Sequence, residues 1–260
     1  VIYLLERVAF LFVLLTNEQL TYLPTLLSSK ENKMVKIVTV SSSKGGAGKT
    51  TTTICLADYW ARMGNRVGLI DTDPNKSLSR WFQKGRENGF FEGIEFRQEL
   101  QDKQIIETAK QLSKTCDILL IDVAGIASIS LLKAAGIADL VIIPAQPNED
   151  DFLEAANTAA IVKEAMELTG RSIPYRTVIT RGKQNTSVLR HMVNQLKRMN
   201  YPVFDTIIHD RTIYPQARFN GNTPVSLEPS GSAALEIENL AEEIVAQLVA
   251  DHEKKQSQAA

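Results

Sequence analysis

The chain is 260 residues long, with 44% hydrophobic residues, 23% charged residues and a formal net charge of −1. That length suits one large α/β domain or two small ones, and the composition is that of a globular fold rather than a disordered or fibrous one. Near-neutral charge by itself points to no polyanionic partner. Two isolated cysteines, Cys55 and Cys116, are too few for a disulfide framework or a zinc centre and fit a reducing, cytoplasmic setting.

At the N-terminus, residues 8–15 form an apolar run preceded by Glu6 and Arg7. The run is far short of the about 20 residues of a membrane span. It also lacks the basic start and small-residue cleavage site of a signal peptide. Met34 stands directly before strand-like Val35-Lys36-Ile37-Val38-Thr39-Val40. Residues 1–33 are therefore expected to lie outside the fold, as an upstream extension with translation beginning at Met34. A short amphipathic helix packed on the domain or on a partner is the alternative.

From Met34 onward, strand-like and helix-like stretches alternate. Strands are expected at 35–41, 66–71, 117–122, 139–144, 175–180 and 203–209, each rich in Val, Ile or Leu and continuous rather than alternating. Strands buried on both faces of a parallel sheet have that pattern. Helices are expected at 50–63, 76–87, 101–114, 150–168, 186–199 and 232–250. The order predicts an α/β, doubly wound, mostly parallel sheet with helices on both faces. One domain over 34–250 is expected, followed by a flexible polar tail at 251–260. In such a sheet the ligand sits at the carboxyl ends of the strands.

After the first strand comes Lys44-Gly45-Gly46-Ala47-Gly48-Lys49-Thr50. The ordinary phosphate-loop pattern has Gly six residues before the Lys, where this chain has Ser43. The physics survives the change. Glycines let successive backbone N–H groups turn toward phosphates, and the helix starting near Thr50 adds its positive end. Lys49 can reach the β and γ phosphates, and the Thr50 hydroxyl can take a Mg²⁺ position. Lys44 lies too early in the loop to duplicate Lys49. The second strand ends in Asp71-Thr72-Asp73-Pro74, whose two acids at i and i+2 face the same side of an extended segment. The third expected strand ends in Asp122, followed by Val123-Ala124-Gly125, the arrangement of a Walker B carboxylate that holds Mg²⁺ through a water. Gly125 can let the next loop respond to a γ phosphate.

These motifs together resemble the ParA/MinD superfamily of deviant Walker A ATPases, and within it the small ParF-like plasmid-partition ATPases. The resemblance runs from about Val35 to Leu248. It also rests on Ser77-Leu78 and Trp81 after the acid pair, on the strand at 139–144, and on Ile179-Thr180-Arg181. It implies that Lys44 reaches across a dimer interface to the partner's nucleotide, coupling ATP to dimerisation. It implies that Asp73 orients the attacking water and that Asp71 supports the metal shell or the switch. The nucleotide would be held by residues 44–50 and Thr51, with Thr180 and Arg181 as candidate base contacts. Val123 and Ala124 depart from the family, which often has Pro there.

Residues 176–218 carry a net +6 against −7 for the rest of the chain. A basic stretch in an acidic chain is the footprint of phosphate-backbone binding. Lys183, Arg190, Lys197, Arg198, Arg211 and Arg218 are the candidate DNA contacts, non-specific because no base-reading motif accompanies them. The resemblance adds an ATP-dependent homodimer, a small centromere-binding adaptor, nucleoid association, and ATPase activity that is weak without a partner. Two other readings compete. A MinD-like membrane switch needs a basic amphipathic C-terminal helix, whereas Glu236, Glu238, Glu242 and Glu243 make this one acidic, so no membrane partner is expected. An accessory ATPase for conjugal DNA transfer would share every motif. A neighbouring gene for a small DNA-binding adaptor marks partition, and one for a relaxase marks transfer.

Overall fold

The structure, a computed structural model of the chain, describes residues 35–124, 129–184 and 186–259. The expected extension at 1–33, Gly125 of the expected switch, and the side chain of Lys197 lie outside the described residues.

In chain order the elements are β1 (Lys36–Val40), α1 (Lys49–Arg62), β2 (Val67–Asp71), α2 (Ser77–Glu87), β3 (Ile94–Gln98), α3 (Ile105–Leu112), β4 (Ile118–Asp122) and α4 (Ile129–Ile137). They continue with β5 (Leu140–Ala145), α5 (Glu149–Thr169), β6 (Tyr175–Gly182), α6 (Ser187–Arg198), β7 (Val203–His209), α7 (Ile213–Phe219), α8 (Pro224–Leu227) and α9 (Ser232–Ala259). The strands form a seven-stranded sheet in the order β3-β2-β4-β1-β5-β6-β7, and every pairing is parallel. Parallel strands need crossovers, and the helices supply them on both faces.

Alternate residues of the central strands serve opposite cores. Val38, Val40, Leu69, Leu120 and Ile142 pack with α1, α2 and α9 on one face. Ile70, Leu119, Ile121, Val141 and Ile143 pack with α3, α4 and α5 on the other. Strands β2, β4 and β5 are buried throughout, which is why they read as unbroken apolar runs.

The structure departs from the sequence expectation where burial is partial or elements are short. Strand β3 was not expected; it is the sheet edge, only Ile94 of its five residues is fully buried, and its sequence is correspondingly polar. Helices α4, α7 and α8 are nine, seven and four residues long, too brief for periodicity to reveal. The expected tail is instead the end of α9, which runs to Ala259. No Gly or Pro interrupts that segment after Gly231, and Gln247 Nε2 donates to Asp251 Oδ2 at 2.8 Å, one helical turn on.

Helix α2 lies against the segment between α7 and α8 at backbone contact. A Cβ on Gly85 would lie 2.5 Å from the Gly221 carbonyl oxygen and 2.2 Å from the Phe91 ring. Gly85→Ala is expected to destabilise the fold by about 1–3 kcal/mol through overpacking. A lower urea midpoint at unchanged m-value is the measurement; an unshifted midpoint contradicts the close approach.

Candidate nucleotide-binding site

Strand register assembles the site. Val40 pairs with Asp122, and Asp122 pairs with Asp71, so the loop after β1 and the two carboxylates emerge abreast at one edge. The loop is pinned by residues far away in sequence. The Ser43 amide donates to Thr158 Oγ1 at 3.0 Å, Gln146 Nε2 donates to the Gly46 carbonyl at 3.2 Å, and Thr180 Oγ1 donates to the Ala47 carbonyl at 2.7 Å. Gly48 has φ +95°, and a Cβ there would meet the Thr180 methyl at 3.3 Å. The left-handed conformation and the close approach both call for glycine.

Helix α1 starts immediately after Gly48 with no side-chain cap. Its first-turn amides are thereby left for an anion. Lys49 is 8% exposed and donates to the Lys44 carbonyl at 3.0 Å. Burial pushes its pKa down, against the opposing pull of the Asp122 and Asp73 charges.

Thr50 Oγ1 donates to Asp122 Oδ2 at 2.8 Å, and Asp122 Oδ1 is buried with no hydrogen-bond partner. Burial first, and the Asp71 charge second, push the Asp122 carboxyl up to about 7. An orphaned carboxylate oxygen beside a hydroxyl suits Mg²⁺, which takes one or two carboxylates and completes its shell with water and phosphate oxygens. Among the described residues no group of three or more His, Cys, Asp or Glu side chains gathers as a metal cage.

Asp71, expected to support the metal shell or the switch, lies beside Asp122 in the sheet. It is fully buried; Oδ1 accepts from the Asp73 amide at 3.0 Å, and Oδ2 accepts from the amide and hydroxyl of Ser79. It therefore shapes the turn into α2 that carries Asp73. Asp73 faces the loop, lining the phosphate-loop cavity with Lys49 and Thr50, and its Oδ1 accepts from the Asn75 amide.

Lys44 does not project from the loop. Its ammonium sits 2.5 Å from Asp151 Oδ1, at the start of α5 in the same chain. Burial alone would push the Asp151 carboxyl up, but the Lys44 ammonium, the Gln146 amide and Asn148 outweigh it and hold the pKa low. The turn Gln146-Pro147 and Asp150-Asp151-Phe152 resembles the family's turn after this strand, but the sequence assigned no contact to Gln146 or Asp151, and Thr158 and Ser79 carried no signal. Each lies beyond the phosphate loop in the chain, and no local spacing announces its contact.

The basic stretch divides. Arg176 Nε donates to Gln247 and its guanidinium lies over Phe204. Arg211, one of the expected DNA contacts, pairs with Glu236, which also accepts from the His209 amide. Arg218 stacks on Trp81 and borders the nucleotide cavities. Arg181, Lys183, Arg190 and Arg198 remain exposed. Thr180, expected at the base, is 2% exposed; it braces the loop and, with Arg181, lines the neighbouring cavity.

A parallel sheet with a two-lysine phosphate loop, a metal-ready carboxylate and an acid facing the loop defines a P-loop ATPase of the ParA/MinD kind. The sequence pattern of the VirC1 protein family matches residues 35–251, and the chain belongs to that family. It is 30% identical over 210 residues to a protein named ParA from Rhizobium radiobacter, covering 78% of this chain and 91% of that one. It is 27% identical over 203 residues to protein virC1 of the same organism, covering 76% and 87%. In fold it resembles a plasmid-partition protein of Borrelia burgdorferi bound to AMPPNP, with TM-score 0.66 and 20% identity over 82% of this chain and 99% of that one. Among the described residues no helix is long and apolar enough to cross a membrane.

Proposed function

We propose that this chain is a DNA-segregation ATPase that dimerises on ATP, binds duplex DNA without sequence preference, and is reset by hydrolysis. The observation that carries the reading is the two-lysine loop, with Lys49 buried over an uncapped helix end and Lys44 held outside it. Lys49 and the first amides of α1 bind the phosphates. Thr50 and Asp122 would hold Mg²⁺, which would supply charge neutralisation at the phosphates. Asp73 orients the attacking water. Asp71, through Ser79, fixes the turn that carries Asp73. Lys44 exchanges Asp151 for the nucleotide of a facing subunit. A small centromere-binding adaptor is the expected partner that stimulates hydrolysis, and the nucleoid is the expected location.

The DNA surface is Lys183, Arg190 and Arg198, exposed on and just before α6, with Lys197 in the same helix. The test is duplex binding with a non-hydrolysable ATP analogue across a salt series. Arg190→Ala combined with Arg198→Ala is expected to weaken binding to every duplex by a similar factor. The salt slope should flatten by about one unit per lost phosphate contact. Unchanged affinity, or a loss confined to one sequence, contradicts the assignment.

A further inference from the structure

Two cavities meet at the first turn of α1. One, of about 380 Å³, contains the phosphate loop and Asp73. The other, of about 320 Å³, lies between Thr180, the end of β7 and Tyr214. Gly48, Thr51, Arg181 and Arg218 line both, so these four residues form the seam between them. A nucleotide with its terminal phosphates in the loop and its base in the second cavity must cross this seam. The group that crosses is the phosphate nearest the ribose.

Arg218 is built to meet it. It lies in the last turn of α7, its side chain is exposed, and among the described residues it forms no ion pair. Its guanidinium carbon rests 5.2 Å from the centroid of the Trp81 ring. That ring is 3% exposed and anchored by Nε1, which donates to the Asn222 carbonyl at 2.9 Å. The platform is fixed while the guanidinium is held only by a ring face. A charge-assisted hydrogen bond to phosphate is stronger than such a contact at an exposed site. Arg181 joins it at the seam with φ +52°, a conformation that few non-glycine residues adopt and that recurs at ligand sites.

We infer that Arg218 is a nucleotide-positioning residue, binding the ribose-proximal phosphate at the seam, rather than a DNA contact. The inference rests on the ATPase reading of the loop. When nucleotide enters, the guanidinium turns from the ring to the phosphate, and Trp81 on α2 registers the change.

The test is calorimetric titration of the parent, Arg218→Ala and Arg218→Lys with Mg²⁺ and ATP, ADP or inorganic pyrophosphate. Pyrophosphate can fill the loop without crossing the seam. Arg218→Ala is expected to weaken ATP and ADP by about 10- to 100-fold, the loss of one charge-assisted hydrogen bond, and to leave pyrophosphate unchanged. Arg218→Lys should recover part of the loss. In a Trp60→Phe background, where Trp81 is the remaining tryptophan, ATP should alter emission in the parent and not in Arg218→Ala. Equal nucleotide affinity in parent and Arg218→Ala overturns the inference alone, as does an equal loss for pyrophosphate. A parent that binds no ATP overturns the ATPase reading and this inference together.

Discussion

Lys49→Ala is expected to abolish Mg-ATP binding at concentrations that saturate the parent. Lys49 is the buried ammonium at the floor of the loop, and its Nζ donates to the Lys44 carbonyl. Burial already disfavours its charge, a cost offset when triphosphate supplies anionic partners. Removing two charge-assisted hydrogen bonds of about 1.5–3 kcal/mol each corresponds to a roughly 10²- to 10⁴-fold loss in affinity. The uncapped amides of α1 remain, but neutral donors at a helix end do not replace a full charge. Calorimetric titration decides the matter, with circular dichroism to show that the variant is folded. Undiminished affinity places the nucleotide elsewhere.

Lys44→Ala is expected to leave a chain that binds ATP as a monomer and no longer dimerises on it. In the single chain the Lys44 ammonium is parked on Asp151. Asp151 does not depend on it alone. Asp151 Oδ2 accepts from the Gln146 amide at 2.9 Å, and the carboxylate lies in the first turn of α5, where the helix favours negative charge. Lys44 can therefore leave without stranding a buried charge. On the proposed reading its departure would exchange one anion for another, and the γ phosphate of a facing subunit, which ADP lacks, would supply the second. Analytical ultracentrifugation with a non-hydrolysable ATP analogue reads the outcome. The variant should sediment as a monomer at concentrations where the parent dimerises, and ATP-dependent DNA binding should fall with the dimer. A variant that dimerises like the parent contradicts the exchange.

Much of this was legible in the linear chain. The apolar runs 117–122 and 139–144 announce strands buried on both faces, because a fully buried strand has no polar side to show. The loop 44–50 announces a phosphate site, because its chemistry is local: glycine backbone, lysine and helix start are adjacent in sequence. Asp73 and Asp122 follow from strand ends, since a parallel sheet brings those ends to one edge. The edge strand β3 and the short helices α4, α7 and α8 carried no comparable signal.

Tertiary structure alone decided which charges are free. Arg211 and Arg218 belong to the basic stretch by composition, yet one is paired with Glu236 and the other stacked on Trp81. Asp71 and Asp73 are two residues apart and alike in type, yet Ser79 claims Asp71 while Asp73 faces the loop. Lys44 meets Asp151 across 107 positions. Side-chain partners depend on which elements the sheet order brings together, and that order comes from burial of both faces of the sheet at once. A sequence names the donors and acceptors; only packing pairs them.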